Sequence, residues 1–464
     1  MEKEKNDKNK KKERKKSWQE TTASVKEIKD FLSDHVMLRH NVVTGRCECH
    51  VIADDPWEDY DGSTESAMKV LMAAASSKLS TLRSALPLRS AKNSKLDWQP
   101  VTDRIVNSLW AKMSREKAVR VQDMYRVIES DYVPEYHPFR YYLEHLPPWN
   151  GHDDYLLELS ASVLVRGDVE EQLLFAQYLK KWLVAMVAAW VDDSVVNNVI
   201  LVLIGEQGSY KTTWFHYLLP PELRCYFYTK TNSNRMGRDD LLTLAQYGLV
   251  CCEELDTMRP AELNQLKAAV TMPAINERRP YAHFHENRQH IASFCGTGNN
   301  MQFLSDPTGN RRWLPFEIDS ILSPRDNPPH YEGIYSQAYR LYREGFRFWF
   351  SQEEIMRLAR HNRQFETPRL EAELVAQYFR KPGHGESGEF ISVALALQIV
   401  GAGITQKLSP VWLGRAFGEQ GFQKKTYHNV RGYVVVRRSA DEMHSMRLMM
   451  AASDDTDTVN TVTF

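Results

Sequence analysis

The chain has 464 residues, 42% hydrophobic and 26% charged, with a formal net charge of −1. That balance fits a soluble protein of two to four domains, and it excludes binding nucleic acid through bulk charge, so any such partner must meet local patches. Six cysteines are too few for a disulfide scaffold, and no apolar run reaches the roughly 18 to 20 residues of a membrane span, so the expected setting is the reducing cytoplasm.

Residues 1–24 form a basic tail whose first sixteen positions carry nine Lys/Arg against four Asp/Glu. Two readings stay open for it, a solvated tail or an arm that tracks phosphates, and the absence of a following apolar core argues against a secretory signal. Residues 25–150 read as a mixed α/β region. An amphipathic helix leads into two β-rich runs joined at Thr44-Gly45, a Ser/Ala/Lys/Leu-rich insertion spans 62–95, and two helices follow before a Pro-rich break. Cys47-x-Cys49 lacks a second ligand pair, which argues against zinc. Residues 151–194 read as helical. Between 195 and 320 apolar strands alternate with helices, the pattern of a mainly parallel sheet. A helical segment (321–380), a Gly-rich linker (381–390), a helix with a basic hairpin (391–445) and a tail (446–464) complete the chain.

The run "LVLIGEQGSYKTTW" at 201–214 reads as a strand feeding a phosphate-binding turn. Such a cradle needs backbone N–H groups at a helix start, an ammonium for the β- and γ-phosphates and a hydroxyl for magnesium. Gly205, Glu206, Gln207, Gly208, Ser209, Tyr210, Lys211, Thr212 and Thr213 span it. Lys211 supplies the charge and Thr212 the hydroxyl. Tyr210 stands where the usual pattern has glycine, which is tolerable if that residue keeps a right-handed backbone and points outward. A second "GEQG" at Gly418–Gly421 shows that the tetrapeptide proves nothing by itself.

About forty residues on, "LVCCEELD" is an apolar strand ending in Glu253 and Glu254, suited to a magnesium ligand beside a base that polarises water. Asn299 after the next strand could hold a γ-phosphate or the lytic water. Arg311 and Arg312 follow twelve residues later, and a guanidinium can stabilise charge on a transferred phosphoryl. A chance turn, a solvated acidic corner and a surface arginine pair explain each feature alone; the ordered set argues for nucleotide hydrolysis.

These motifs, with "RRPY", "GTGNN" and above all "FLSDPTGNRRWLPFEI", resemble the virulence-associated protein E family of phages and mobile elements, over roughly residues 100–320. That family resembles superfamily three helicases. The resemblance implies an AAA+-like P-loop ATPase core (195–320), ATP and Mg2+ as ligands, a homo-oligomeric ring such as a hexamer, and a small winged-helix-like C-terminal domain. Tyr210 and the double glutamate depart from the usual pattern and leave the division of labour between Glu253 and Glu254 open.

For DNA, "NERRPYAHFHENRQH" interleaves Arg278, Arg279, His283, His285, Arg288 and His290 with Tyr281 and Phe284, a composition suited to a single-strand-binding hairpin. A subunit-interface hairpin is the alternative. Lys424, Lys425 and Arg431, with Arg437 and Arg438, make the C-terminal hairpin basic, while Trp412 and Phe417 are assigned to its small core. The leading expectation is a DNA helicase or translocase in replication, partnered with DNA and with a primase or other replication protein. A loader or remodelling ATPase is the competitor, and a nucleotide-binding regulator the third reading, disfavoured by the acidic and arginine pairs.

Overall fold

The computed structural model describes residues 22–52, 98–230, 238–277, 284–304, 310–367, 369–402, 404–405 and 408–445. The chain divides into two units, Met1–Asn299 with Arg311–Met356, and Asn300–Asn310 with Arg357–Phe464. The tail 446–464, the insertion 62–95 and nearly all of the tail 1–24 lie outside the described residues.

The first unit opens with α1 (Val25–His35), started by a capping box. Ser24 Oγ accepts from Glu27 N–H, and the Glu27 carboxylate accepts from Ser24 N–H at 2.7 Å. It leads into a hairpin of β1 (Val36–Asn41) and β2 (Arg46–Val51), whose turn uses Gly45 at φ 66°. With β3 (Gln99–Pro100) and β4 (Glu135–Tyr136) these make a four-stranded sheet in the order β3-β2-β1-β4. Ile28 and Leu32 of α1 pack with Val106 of α2 (Asp103–Met113) and Met124 of α3 (Val121–Ile128) in a small buried core. Buried Asn41 ties this layer to the next. Its side-chain amide donates to the Tyr226 hydroxyl at 2.7 Å and to Glu48 at 2.6 Å.

α4 (Pro138–Glu144) places Phe139 on Trp190, with ring centroids 4.5 Å apart. α5 (Tyr155–Ala161) is followed by a three-residue strand, β5 (Val163–Val165), inside a stretch whose sequence reads as helix throughout. β5 forms because Val163 and Val165 bury on one face while the strand pairs antiparallel with a later neighbour. α6 (Val169–Val191) is capped by Asp168 and buried nearly all round from Phe175 to Trp190, so it is a core helix rather than a surface one. Among the described residues no helix is long and apolar enough to cross a membrane.

The strand–helix alternation then builds β6 (Ile200–Ile204), α7 (Lys211–Leu218), β7 (Phe227–Lys230), α8 (Arg238–Gln246), β8 (Leu249–Cys252) and α9 (Pro260–Val270). A two-stranded ribbon of β9 (Ala274–Glu277) and β10 (Glu286–Gln289) precedes β11 (Ser293–Gly298) and β12 (Trp313–Ile321). The central sheet runs β5-β12-β6-β11-β8-β7, with the last five strands mutually parallel and β5 antiparallel at the edge. β6 and β8 are buried at every residue, as strands covered on both faces must be. α10 (Tyr331–Arg343) packs beside α6, and the unit boundary falls within α11 (Gln352–His361).

In the second unit α12 (Leu370–Tyr378), β13 (Phe379–Arg380), β14 (Glu389–Ser392), α13 (Val393–Val400), α14 (Pro410–Glu419), β15 (Gln423–Tyr427) and β16 (Val430–Arg437) follow in order. β16 pairs with β13, β14 and β15. His428 and Asn429 both take positive φ, the backbone of a tight two-residue hairpin turn. Phe417 stacks on Tyr433 at 4.9 Å inside a core with Leu413, Phe379 and Val435, which agrees with its assignment. Trp412 does not join that buried cluster. It is half-buried, with the Arg369 guanidinium 3.4 Å and the Arg415 guanidinium 4.5 Å from its ring centre. The second "GEQG" closes α14, Gly421 at φ 76°, and serves helix termination.

Candidate functional site

Loops leaving the carboxyl ends of β6, β8 and β11 converge, as parallel topology requires, into a cleft of about 400 Å³. It is lined by Gln207 through Thr213, Glu253, Glu254, Thr297, Gly298 and Asn299. Three segments singled out in the sequence therefore meet.

The turn after β6 is held close to the sheet. Gly205 N–H donates to Gly298 O at 3.2 Å, and a Cβ on Gly205 would lie 2.8 Å from Ile318 Cγ1, so no larger residue fits without a shift. Lys211 begins α7, is 8% exposed, and donates to Gly205 O and Glu206 O, both at 2.6 Å, and to Ser209 Oγ at 3.2 Å. Asn299 Oδ1 lies 3.5 Å from the same ammonium. Burial pushes the Lys211 pKa below its ordinary value, while the carboxylates of Asp256 and Glu206 oppose that fall. Thr212 Oγ1 donates to Glu253 Oε1 at 2.9 Å.

Tyr210 departs from the expected backbone. It sits at φ 63°, ψ 11°, in the left-handed region rather than the right-handed one, and caps α7 without a side-chain hydrogen bond. The turn needs that conformation whichever residue fills it, so the tyrosine takes glycine's backbone and accepts a cost of about 1–2 kcal/mol. Its ring does point outward, at 44% exposure. Glu254 is likewise left-handed, at φ 53°. Of the four described non-glycine residues with positive φ, these two line the cleft, and such strain gathers at functional sites.

Three residues of the site, Asp256, Thr297 and Gly298, were not singled out from the sequence. Asp256 bears on the Lys211 charge, and its Oδ1 lies 3.2 Å from where a Gly298 Cβ would stand. Buried Thr297 lines the cleft floor. The signal for Asp256 lay in the final residue of "EELD", two positions past the acidic pair.

Arg311 and Arg312 are not among the cleft-lining residues. They immediately precede β12, whose Trp313 pairs with Ile200 and whose Glu317 pairs with Ile204. The arginines thus stand at the amino-terminal edge of the parallel strands, and the Lys211 loop at the opposite edge, on the order of 15 Å away along the strand. Arg311 is exposed; Arg312 is half-buried, its pKa lowered first by burial and then by Arg311.

The two basic hairpins differ from expectation. In the β9–β10 ribbon, Arg278, Arg279, Tyr281 and His283 lie outside the described residues, Phe284 is 80% exposed and His285 is exposed. Arg288 is not free to track a phosphate backbone, because its guanidinium donates to the carbonyls of Val43 and Ala245. His290 is buried with Nδ1 against the Met272 carbonyl, and burial lowers its pKa. In the second unit Lys424, Lys425 and Arg431 are exposed around the β15–β16 turn. Arg437 pairs with Glu389, and Arg438 donates to Ala376 O.

The chain is thus a mixed α/β protein with a buried-lysine cleft at the carboxyl edge of a parallel sheet. Residues 152–367 match the model of the virulence-associated protein E-like domain, a little under half of the chain. The match starts later and ends later than the resemblance read from the motifs. Similar solved structures include two apo structures of the NrS-1 C-terminal region. One is 10% identical with a TM-score of 0.41, covering 89% of this chain and 98% of that one. The other is 10% identical with a TM-score of 0.43, covering 88% and 98%. No curated protein matches the chain.

Proposed function

We propose that this chain is an ATP-hydrolysing DNA helicase or translocase of a phage or mobile element, acting in replication as a homo-oligomeric ring such as a hexamer. The central sheet is read as an AAA+-like P-loop core and the second unit as a winged-helix-like domain. The observation that carries the reading is the meeting of buried Lys211, the Thr212–Glu253 pair and Asn299 in one cleft. Thr212 Oγ1 and Glu253 Oε1 form a hard-oxygen donor set, which fits magnesium. When bound, that ion supplies neutralising charge to the β- and γ-phosphates. Lys211 binds the same phosphates, Glu254 polarises the attacking water, and Asn299 orients it. Arg311, with Arg312 beside it, faces the cleft of a neighbouring subunit, because its own cleft lies at the far edge of the sheet. Exposed Lys424, Lys425 and Arg431 supply phosphate contacts to DNA, and Phe284 and His285 supply contacts to a single strand.

One observation favours the competing reading of an ATPase that loads or remodels a protein partner. Arg288 and His290 are tied into the fold, which leaves the β9–β10 ribbon fewer free cations than its sequence promises. ATPase assays with and without single-stranded DNA, paired with strand displacement, test the two. The helicase reading expects stimulation and displacement. DNA-insensitive hydrolysis without displacement supports the competitor, and absence of hydrolysis in either condition rejects both.

A further inference from the structure

The segment joining Asn299 to Arg311 belongs, over Asn300–Asn310, to the second unit. Its described parts are fastened at both ends to one short stretch, residues 362–367. At the first end the Phe303 and Leu304 N–H groups both donate to Phe365 O, at 3.1 and 2.9 Å, and Thr367 N–H donates to Leu304 O at 2.9 Å. At the second end Asn310 is gripped twice. Its side-chain amide donates to Glu366 Oε1 at 2.7 Å, and its carbonyl accepts from Asn362 Nδ2 at 2.8 Å. Asn310 is 4% exposed and Asn362 is fully buried. Burying such polar groups costs free energy that only well-directed hydrogen bonds offset, so the grip admits one arrangement of Asn310.

Asn310 immediately precedes Arg311, and the two share a single 3-10 turn, Asn310–Arg312. After that turn Trp313 opens β12 and pairs with Ile200 of β6. Arg311 and Arg312 are therefore the only residues between a clamp in the second unit and a strand of the central sheet. A guanidinium stabilises charge on a phosphoryl from a narrow range of positions, and a misplacement of about 1 Å can cost on the order of a hundredfold in rate. Residues that fix where the pair begins thus bear on that rate without touching the nucleotide.

We propose that Asn362 and Glu366 are positioning residues for ATP hydrolysis, which set Arg311 and Arg312 through Asn310. The assignment rests on the arginine reading above and deepens it by naming what holds the pair. It makes hydrolysis depend on two side chains of the second unit that neither composition nor motif marks. Glu419 of α14 supplies a contrast. It is exposed and lines the same small cavity as Glu366, whereas the Asn310 amide goes to Glu366.

The test uses the full chain and reads steady-state ATP hydrolysis beside equilibrium ATP binding. Glu366→Ala removes the acceptor and should lower kcat about tenfold or more, with KM and ATP affinity unchanged because the Lys211 loop is untouched. Glu366→Gln keeps an acceptor oxygen for Asn310 and should restore most of the rate, and Glu419→Ala should leave it at the wild-type level. Asn310→Ala breaks the same bond from the other side and takes the place of Glu366→Ala if that variant does not fold. Subunit mixing then places the defect. Glu366→Ala subunits should regain activity with Lys211→Ala subunits, which bring an intact arginine side, and should gain nothing from Arg311→Ala subunits. Full kcat in Glu366→Ala, a raised KM at unchanged kcat, an equal loss in Glu419→Ala, or recovery with Arg311→Ala would each overturn the positioning role. Absence of hydrolysis by the wild-type chain, or no recovery between Lys211→Ala and Arg311→Ala subunits, defeats the arginine reading itself and is seen without any Glu366 variant.

Discussion

The Thr212 hydroxyl donates to the Glu253 carboxylate at 2.9 Å, so the two adjacent glutamates after β8 are not equivalent. Glu253 is joined to the loop hydroxyl, while Glu254 lines the same cleft from a left-handed backbone. We expect Glu253→Ala to weaken magnesium-dependent nucleotide binding, and Glu254→Gln to retain binding while losing at least a hundredfold in turnover. Lys211→Ala should abolish hydrolysis, since Lys211 is the one cation among the described residues that line the cleft. Phosphate release and equilibrium binding, measured on the same preparations, check all three. Fast turnover in the glutamine variant would move the base to Glu253.

Tyr210 carries a backbone that costs a tyrosine about 1–2 kcal/mol and glycine almost nothing. Tyr210→Gly should therefore leave folding stability unchanged or raise it slightly, the relief being partly offset by glycine's looser unfolded chain. Tyr210→Val, β-branched at positive φ, should lower it by about 1–2 kcal/mol. Urea unfolding of the three proteins reads this directly. A marked loss in the glycine variant would mean that the ring stabilises the loop by contact.

Arg311 stands at the edge of the sheet opposite to Lys211, which leads us to expect action across a subunit boundary. Subunits bearing Lys211→Ala and subunits bearing Arg311→Ala should each be inactive alone, with a loss on the order of 10³ for the arginine. Mixed together they should regain part of the ATPase rate. No recovery in verified mixed oligomers, with Arg311 or with Arg312, would refute a finger in trans.

Lys424, Lys425 and Arg431 are exposed around one turn. Replacing all three by alanine should weaken DNA binding about equally for every sequence. It should also flatten the dependence of affinity on salt, by roughly one unit of log slope for each phosphate no longer neutralised. An unchanged slope in fluorescence anisotropy titrations would assign this hairpin to protein contacts.

Acid should destabilise the first unit through histidines held neutral. Burial, reinforced by Arg140, lowers the His137 pKa from 6.5 to about 4, and its Nδ1 caps α4 by accepting from Arg140 N–H. Below pH 6.5 the unfolded chain takes up a proton that the folded chain refuses, so stability falls until about pH 4 and levels off below. The loss is at most about 3 kcal/mol for this residue. His290 and His216, also lowered first by burial, act in the same direction. His137→Asn keeps a cap acceptor and should shrink the drop seen in urea unfolding between pH 7 and pH 4.5; an identical drop would exonerate His137.

The parallel sheet and the cleft were legible because their signals are local. Ile200–Ile204 and Leu249–Cys252 are uninterrupted apolar runs, and each hands directly to the residues that line the cleft. Arg288 misled for the opposite reason. Its neighbours in sequence are basic and aromatic, but what it touches are the carbonyls of Val43 and Ala245, far away along the chain, which no window of composition reveals. β5 was hidden because three residues cannot display a period, and its partner strand β12 begins only at Trp313. The Tyr210 backbone was hidden because the turn, not the residue, dictates it.

Gly205 rests against Ile318 with no room for a methyl group, while Arg311 and Arg312 immediately precede the strand that Ile318 belongs to. Between these two points run five residues of β12, each in register with β6. Paired, buried backbone of this kind neither stretches nor bends appreciably, so the strand behaves as a strut. A displacement at the arginine end would thus reach Gly205 along paired, buried backbone rather than through a loop.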